Sequence, residues 1–241
     1  MPSFKLNSPA FILLFSAIVI FSTYYFFFRD DRGPLYYFDK IFSRPHDSIT
    51  ESYQYRDLTE EYQQLNRRIA NKRVIVFWGD SITKRFNVYE YFPDKPILNR
   101  GIYSDTTEGM LYRMRTNISD LNIDKLFILI GYNDLQFRSD NMILDNISTI
   151  ITRVKAKVTF IQSILPVAPK RVATNARIRN INKQLEAMCL QRPCIYVDLH
   201  SYFLNAGGEG LSFKYSYDGI HPNAEGNRLW ARLIEPYVTS Q

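Results

Sequence analysis

Two stretches, "VIVFW" at 74–78 and "LFILI" at 126–130, are apolar at every position. A strand with one wet face alternates apolar and polar residues, whereas a strand covered on both faces reads as a continuous apolar run. Three further short runs, Ile97–Asn99, Val158–Gln162 and Ile195–Leu199, punctuate the chain at similar intervals. Between them lie helical stretches near 106–120, 140–156, 174–191 and 223–236. An amphipathic segment with Leu58, Tyr62, Leu65 and Ile69 on one face precedes the first strand. Buried strands alternating with helices predict a three-layer α/β/α domain around a central parallel sheet of about five strands.

The N-terminal region has a different character. From Pro9 to Phe28 the sequence "PAFILLFSAIVIFSTYYFFF" carries no charge. Twenty residues at about 1.5 Å each match a hydrocarbon core of about 30 Å, so the run is expected to be a transmembrane anchor. A cleaved signal peptide has a shorter apolar region followed by a small-residue cleavage site, whereas bulky residues continue here as far as Phe28. The expected organisation is a short tail at 1–8, an anchor at 9–28, a tether at 29–55 and the α/β domain at 56–241. Charges flanking the anchor nearly balance, with Lys5 before it and Arg29 and Arg32 after it. The short tail is expected to stay cytoplasmic, which places the large domain on the non-cytoplasmic side.

The formal charge is +6, of which Lys5 and Arg29 supply two. No basic stripe with interleaved aromatics is present, so nucleic acid is not an expected partner. Lys170, Arg171, Arg177, Arg179 and Lys183 form the densest basic cluster. It reads either as a solvated helix face or as a lip that attracts an anionic substrate. The two cysteines, Cys189 and Cys194 in "CLQRPC", either close a short disulfide loop or remain two thiols. "NIS" occurs at Asn117–Ser119 and Asn146–Ser148; on helix surfaces these read as chance occurrences unless the chain enters a secretory pathway.

The segments beyond the strand ends suggest chemistry. After the first strand comes "GDSI" (79–82), after the second "NRGIYSDTTEG" (99–109), after the third "GYND" (131–134), and before the final helix "DGIHPN" (218–223). In a parallel sheet these segments share one end, where open α/β sheets bind ligands. "GDSI" alone is ambiguous. Gly79 can turn the chain and Asp80 or Ser81 can cap a helix, or Ser81 can be a presented nucleophile. Asp218 and His221, three apart, allow a carboxylate to orient an imidazole whose other nitrogen takes a proton from a hydroxyl. The Asn133 amide and the Gly101 N–H are candidate donors to a developing oxyanion. His46, His200 and His221 show no metal-ligand spacing, and His200 in "VDLH" reads as structural.

Together, "GDSI", the Gly of "NRG", "GYND" and "DGIH" resemble, in order, the four blocks of the SGNH (GDSL-like) hydrolases. "NRGIYSDTTEG" and "QSILPV" are most similar to the branch containing platelet-activating-factor acetylhydrolase-like and sugar O-acetyl esterases. The resemblance spans roughly residues 72 to 236. It implies a flavodoxin-like fold and a serine esterase with Ser81 as nucleophile, His221 as base and Asp218 orienting His221. Ser81 N–H, Gly101 N–H and Asn133 would form the oxyanion hole, and Tyr132, bulkier than the residue usual in this branch, would contact substrate. It implies no metal and no cofactor. Expected substrates are acetyl or short acyl esters of a carbohydrate or lipid. The same residues would serve an O-acyltransferase, and a silent carbohydrate-binding module of this fold is the non-enzymatic alternative.

Overall fold

The computed structural model describes residues 50 to 240 apart from 51 and 70. The expected tail, the anchor at 9–28 and nearly all of the tether lie outside the described residues. Among the described residues, no helix is long and apolar enough to cross a membrane.

The elements in chain order are α1 (Tyr53–Arg68), β1 (Arg73–Gly79), α2 (Ser81–Arg85), α3 (Val88–Tyr91), β2 (Ile97–Gly101), α4 (Thr107–Asn117), β3 (Asn122–Leu129), a 3-10 turn (Asn133–Gln136), α5 (Asp140–Arg153), β4 (Ala156–Gln162), α6 (Val172–Cys189), β5 (Ile195–Val197), α7 (His200–Phe203) and α8 (Ala224–Thr239). All strand pairings are parallel, in the order β2-β1-β3-β4-β5. The chain leaves β1 toward one edge and returns on its other side as β3. The topological switch point therefore lies between the carboxyl ends of β1 and β3.

Both faces of the sheet are covered, as the unbroken apolar runs require. Val74, Val76 and Trp78 pack with Met110, Ile147 and Ile178 of α4, α5 and α6. Ile75 and Phe77 pack on the opposite face with Phe86, Phe203 and Trp230, next to or within α2, α7 and α8. Phe77, Phe127 and Phe160 occupy aligned positions on adjacent strands. Their rings stack at 4.7 and 4.6 Å between centroids, and each such pair adds on the order of 1 kcal/mol beyond area burial. Trp230 stacks on Phe86 at 4.2 Å and donates its indole N–H to Gln162 Oε1 at 2.6 Å.

Several boundaries differ from the expected ones. Helix α1 starts at Tyr53, within the expected tether, because Ser52 caps it and Tyr55 is buried. Strand β3 starts four residues before its apolar run, with Lys125 buried and its ammonium donating to the Val238 carbonyl at the end of α8. Strand β5 stops at Val197, because Ser163 Oγ accepts from the Leu199 and His200 amides and starts α7. Helix α8 continues three residues past Pro236. Cys189 and Cys194 are disulfide-bonded, with Cα atoms 4.9 Å apart. Asn117 is fully buried and donates to the Thr59 carbonyl. The first "NIS" is therefore not an accessible acceptor in the folded chain.

Candidate active site

Ser81 is the first residue of α2, directly beyond the carboxyl end of β1. The capping reading of "GDSI" falls to Asp80 rather than Ser81. Asp80 is the cap, its Oδ1 accepting the Ile82 N–H at 2.9 Å. Ser81 is left with its hydroxyl presented. At Gly79 a Cβ would sit 2.1 Å from the Leu129 carbonyl oxygen, so the strand end tolerates no side chain there.

The "DGIH" turn brings its two members to that hydroxyl. Ser81 Oγ lies 3.0 Å from His221 Nε2, and His221 Nδ1 lies 2.7 Å from Asp218 Oδ2. A carboxylate on Nδ1 holds the proton there and leaves Nε2 free to accept from the serine. Asp218 Oδ1 also accepts the Ile220 and His221 amides at 2.9 and 2.8 Å. Its partial burial works to raise its pKa, but the His221 and Ile220 hydrogen bonds outweigh that and hold it below the usual carboxylate range.

The loops after β2 and β3 complete the site. Gly131 has φ 120, a conformation reserved for glycine, and this swings the chain into the 3-10 turn. Asn133 Nδ2 donates to the Asp105 carbonyl at 2.9 Å, which fixes the amide and leaves its second N–H available. The adjacent Asp134 is buried and accepts from the Thr107 amide at 3.0 Å and hydroxyl at 2.6 Å, tying the β3 loop to the start of α4. Arg113 links these parts underneath. Its guanidinium meets Asp105 Oδ2 at 2.7 Å and donates to the Gly79 carbonyl at 3.1 Å, with both charged side chains fully buried.

Gly101 does not have the expected role. Its N–H is already donated to Asn99 Oδ1 at 2.9 Å. Its missing side chain instead admits α2, since a Cβ there would stand 2.3 Å from the Lys84 backbone nitrogen. Gly101 is a packing residue. A nearby backbone N–H that the sequence does not point to is that of Ser104, exposed in the loop next to Asp105, with φ 58 and no hydrogen-bond partner among the described residues. A glycine there would have advertised the left-handed backbone; a serine conceals it.

Tyr132 is half-buried next to Asn133, and its hydroxyl accepts from Arg171 Nη1 at 2.9 Å. Burial raises its pKa, Arg171 opposes this, and the nearby Asp218 and Asp80 carboxylates add to it. His200 stays structural, its Nδ1 donating to the Ile164 carbonyl at 3.0 Å inside the core. Among the described residues, no group of three or more His, Cys, Asp or Glu is placed to hold a metal ion.

The sequence pattern of the GDSL-like Lipase/Acylhydrolase family matches residues 47–229. The chain belongs to this family. It is an SGNH serine ester hydrolase. A structure from Streptococcus pneumonia named for platelet activating factor is 25% identical, with a TM-score of 0.69, over 77% of this chain and 92% of that one. A GDSL-like lipase from Bacteroides thetaiotaomicron is 22% identical, with a TM-score of 0.66, over 75% and 96%. An acetylxylan esterase from Geobacillus stearothermophilus is 15% identical, with a TM-score of 0.60, over 71% and 96%. The last two likenesses are of fold alone. No curated protein matches the chain by sequence.

One group in this GDSL-like site carries a pH dependence. Burial pushes the Asp80 carboxyl up to about 7; the Ile82 N–H opposes the rise, and the Asp105 and Asp134 charges add to it. Asp80 Oδ2 is buried and has no hydrogen-bond partner among the described residues. A carboxyl raised in the folded state favours folding while protonated, so its stabilisation is complete below its unfolded pKa near 4. That stabilisation is lost as pH rises through about 7. Asp80→Asn keeps the capping oxygen and cannot ionise. Its melting temperature should fall several degrees less than that of the wild type between pH 5 and 9; parallel curves would show that Asp80 does not titrate in this range.

Proposed function

We propose that Ser81, His221 and Asp218 act as a catalytic triad that hydrolyses acetyl or short acyl esters of carbohydrate or lipid substrates through an acyl-enzyme. The observation that carries this is the unbroken chain from Ser81 Oγ through both ring nitrogens of His221 to Asp218. Ser81 attacks the ester carbonyl while Nε2 takes its proton, and the imidazolium is stabilised by Asp218. The same proton then goes to the leaving alcohol, and His221 next deprotonates the water that releases the acid. Negative charge on the carbonyl oxygen is met by the Ser81 N–H, by the free N–H of Asn133 and, in place of Gly101, by the Ser104 N–H.

The acetylxylan esterase neighbour makes O-acetylated sugars the first substrates to assay. Exposed Tyr217, next to Asp218, and half-buried Tyr132 offer aromatic faces for a sugar ring. The test is labelling of residues 50–240 by a fluorophosphonate, together with turnover of a panel of acetyl and longer acyl esters. No labelling and no turnover would defeat the proposal. Asn133→Ala should lower kcat by roughly a hundredfold or more with little change in KM, because its donor acts mainly on charge absent from the ground state. A loss confined to KM would make Asn133 a substrate-binding residue instead.

We also propose that the uncharged run from Pro9 to Phe28 anchors the enzyme in a membrane with the catalytic domain on the non-cytoplasmic side. The Cys189–Cys194 bridge supports that side, since disulfides persist in oxidising compartments. Release of the native protein by carbonate, or digestion of its domain by protease from the cytoplasmic side, would refute this.

A further inference from the structure

The chain of contacts that ends at Arg171 carries an assignment beyond the ester reaction. Backbone and head of this residue are treated differently by the fold. Its amide donates to the Ala168 carbonyl at 2.9 Å, and its own carbonyl accepts the Asn175 N–H at 3.0 Å. Asn175 is fully buried and bridges the Val167 amide and carbonyl. Ala168 in turn donates its N–H to the Gly219 carbonyl at 2.8 Å, inside the Asp218–His221 turn. The base of Arg171 is thus fixed against the loop that carries the general base.

The guanidinium is exposed. Its polar contact is the Tyr132 hydroxyl, and among the described residues it forms no ion pair with a carboxylate. Arginine at a protein surface usually finds a carboxylate or extends into water. Here it is turned toward the residue preceding Asn133, with most of its five N–H donors unused. Across the site, Arg85 shows the same disposition. One turn beyond Ser81, it is exposed, without an ion pair among the described residues, and stands 6.0 Å from the ring centre of Tyr103, beside Ser104. Within the basic cluster, Arg177 is committed elsewhere: it pairs with Asp140 and donates to the Leu135 carbonyl.

We propose that Arg171, positioned by Tyr132, is a specificity-determining residue that binds a carboxylate or phosphate on the alcohol half of the ester substrate. This rests on the proposed esterase reading. His221 must stand beside the leaving oxygen to protonate it, so a cation fixed to the His221 loop lies on the leaving-group side. The carbonyl oxygen faces the Asn133 and Ser104 donors. A guanidinium presents paired N–H groups that match a carboxylate or phosphate in geometry as well as charge.

The test compares kcat/KM for three acetyl esters: methyl glucoside acetate (neutral), methyl glucuronoside acetate (carboxylate) and acetylglycerol phosphate (phosphate). The wild type should favour at least one anionic ester by about 10- to 100-fold, the range of a hydrogen-bonded charge pair. Which one it favours tells an acidic saccharide from a phosphorylated lipid headgroup. The preference should shrink in high salt, because the pair is exposed. In Arg171→Gln the ratio should fall to near one. Arg171→Lys should retain part of it and Tyr132→Phe should reduce it, since the hydroxyl only positions the guanidinium. Equal wild-type turnover of all three esters, or a preference that survives Arg171→Gln, would overturn the assignment. Turnover of the neutral ester by the wild type tests the esterase reading separately.

Discussion

Ser81→Ala should abolish ester hydrolysis, by about four orders of magnitude or more, while leaving the melting temperature nearly unchanged. The size of the effect follows from the role. Without Oγ, His221 has no proton to take and no acyl-enzyme can form, so only the oxyanion donors and substrate binding remain. The fold should survive because α2 is capped by Asp80 and packed through Ile82, with the serine hydroxyl directed to His221. Loss of fluorophosphonate labelling should accompany loss of turnover. Substantial hydrolysis by the purified variant would remove Ser81 from the mechanism altogether.

The largest stability loss is expected at Arg113. Removing one partner of a buried ion pair leaves the other charged and dry, which costs about 3–5 kcal/mol. Arg113→Ala strands Asp105, and it also removes the donor to the Gly79 carbonyl and the cation over the Trp78 ring, 5.5 Å from its centre. For a domain of this length the melting temperature should drop by roughly 10 °C, readable by circular dichroism. Activity should fall further than the folded fraction, because Asp105 holds Asn133 through its carbonyl and adjoins Ser104. A variant that melts within a degree or two of the wild type would show that the pair contributes nothing.

How much of this was legible in sequence depends on what carries the information. Strands covered on both faces announce themselves, because every position from Val74 to Trp78 must be apolar. The proposed catalytic set could be picked out for a related reason: Ser81, Asn133, Asp218 and His221 each lie just before or just after a regular element whose direction the parallel sheet fixes. Lys125 hid the start of β3, since a charged residue rarely sits in a central strand; here its ammonium reaches the end of α8, a partner more than a hundred residues away. Gly101 misled for the converse reason. A glycine beside a catalytic loop can serve chemistry or close packing, and only the position of α2 shows that packing claims it. The left-handed backbone at Ser104 leaves no trace in residue type, and the Arg113–Asp105 pair joins residues whose burial no local pattern predicts.

The proposed nucleophile and its proposed base sit in regions of unequal local stability. Ser81 rises from the middle of the sheet, backed by buried Gly79, Asp80 and Arg113. His221 and Asp218 lie on a surface turn held by hydrogen bonds spanning two or three residues and fastened to the neighbouring loop through Gly219. Segments of the second kind open far more often than central strands, through excursions that leave the rest of the molecule intact. The hydrogen bond between Ser81 and His221 thus joins a central strand end to a surface turn, and amide exchange is expected to be slower at the first than at the second. Mild denaturant or modest heat is therefore expected to lower activity, reversibly, before the sheet itself unfolds.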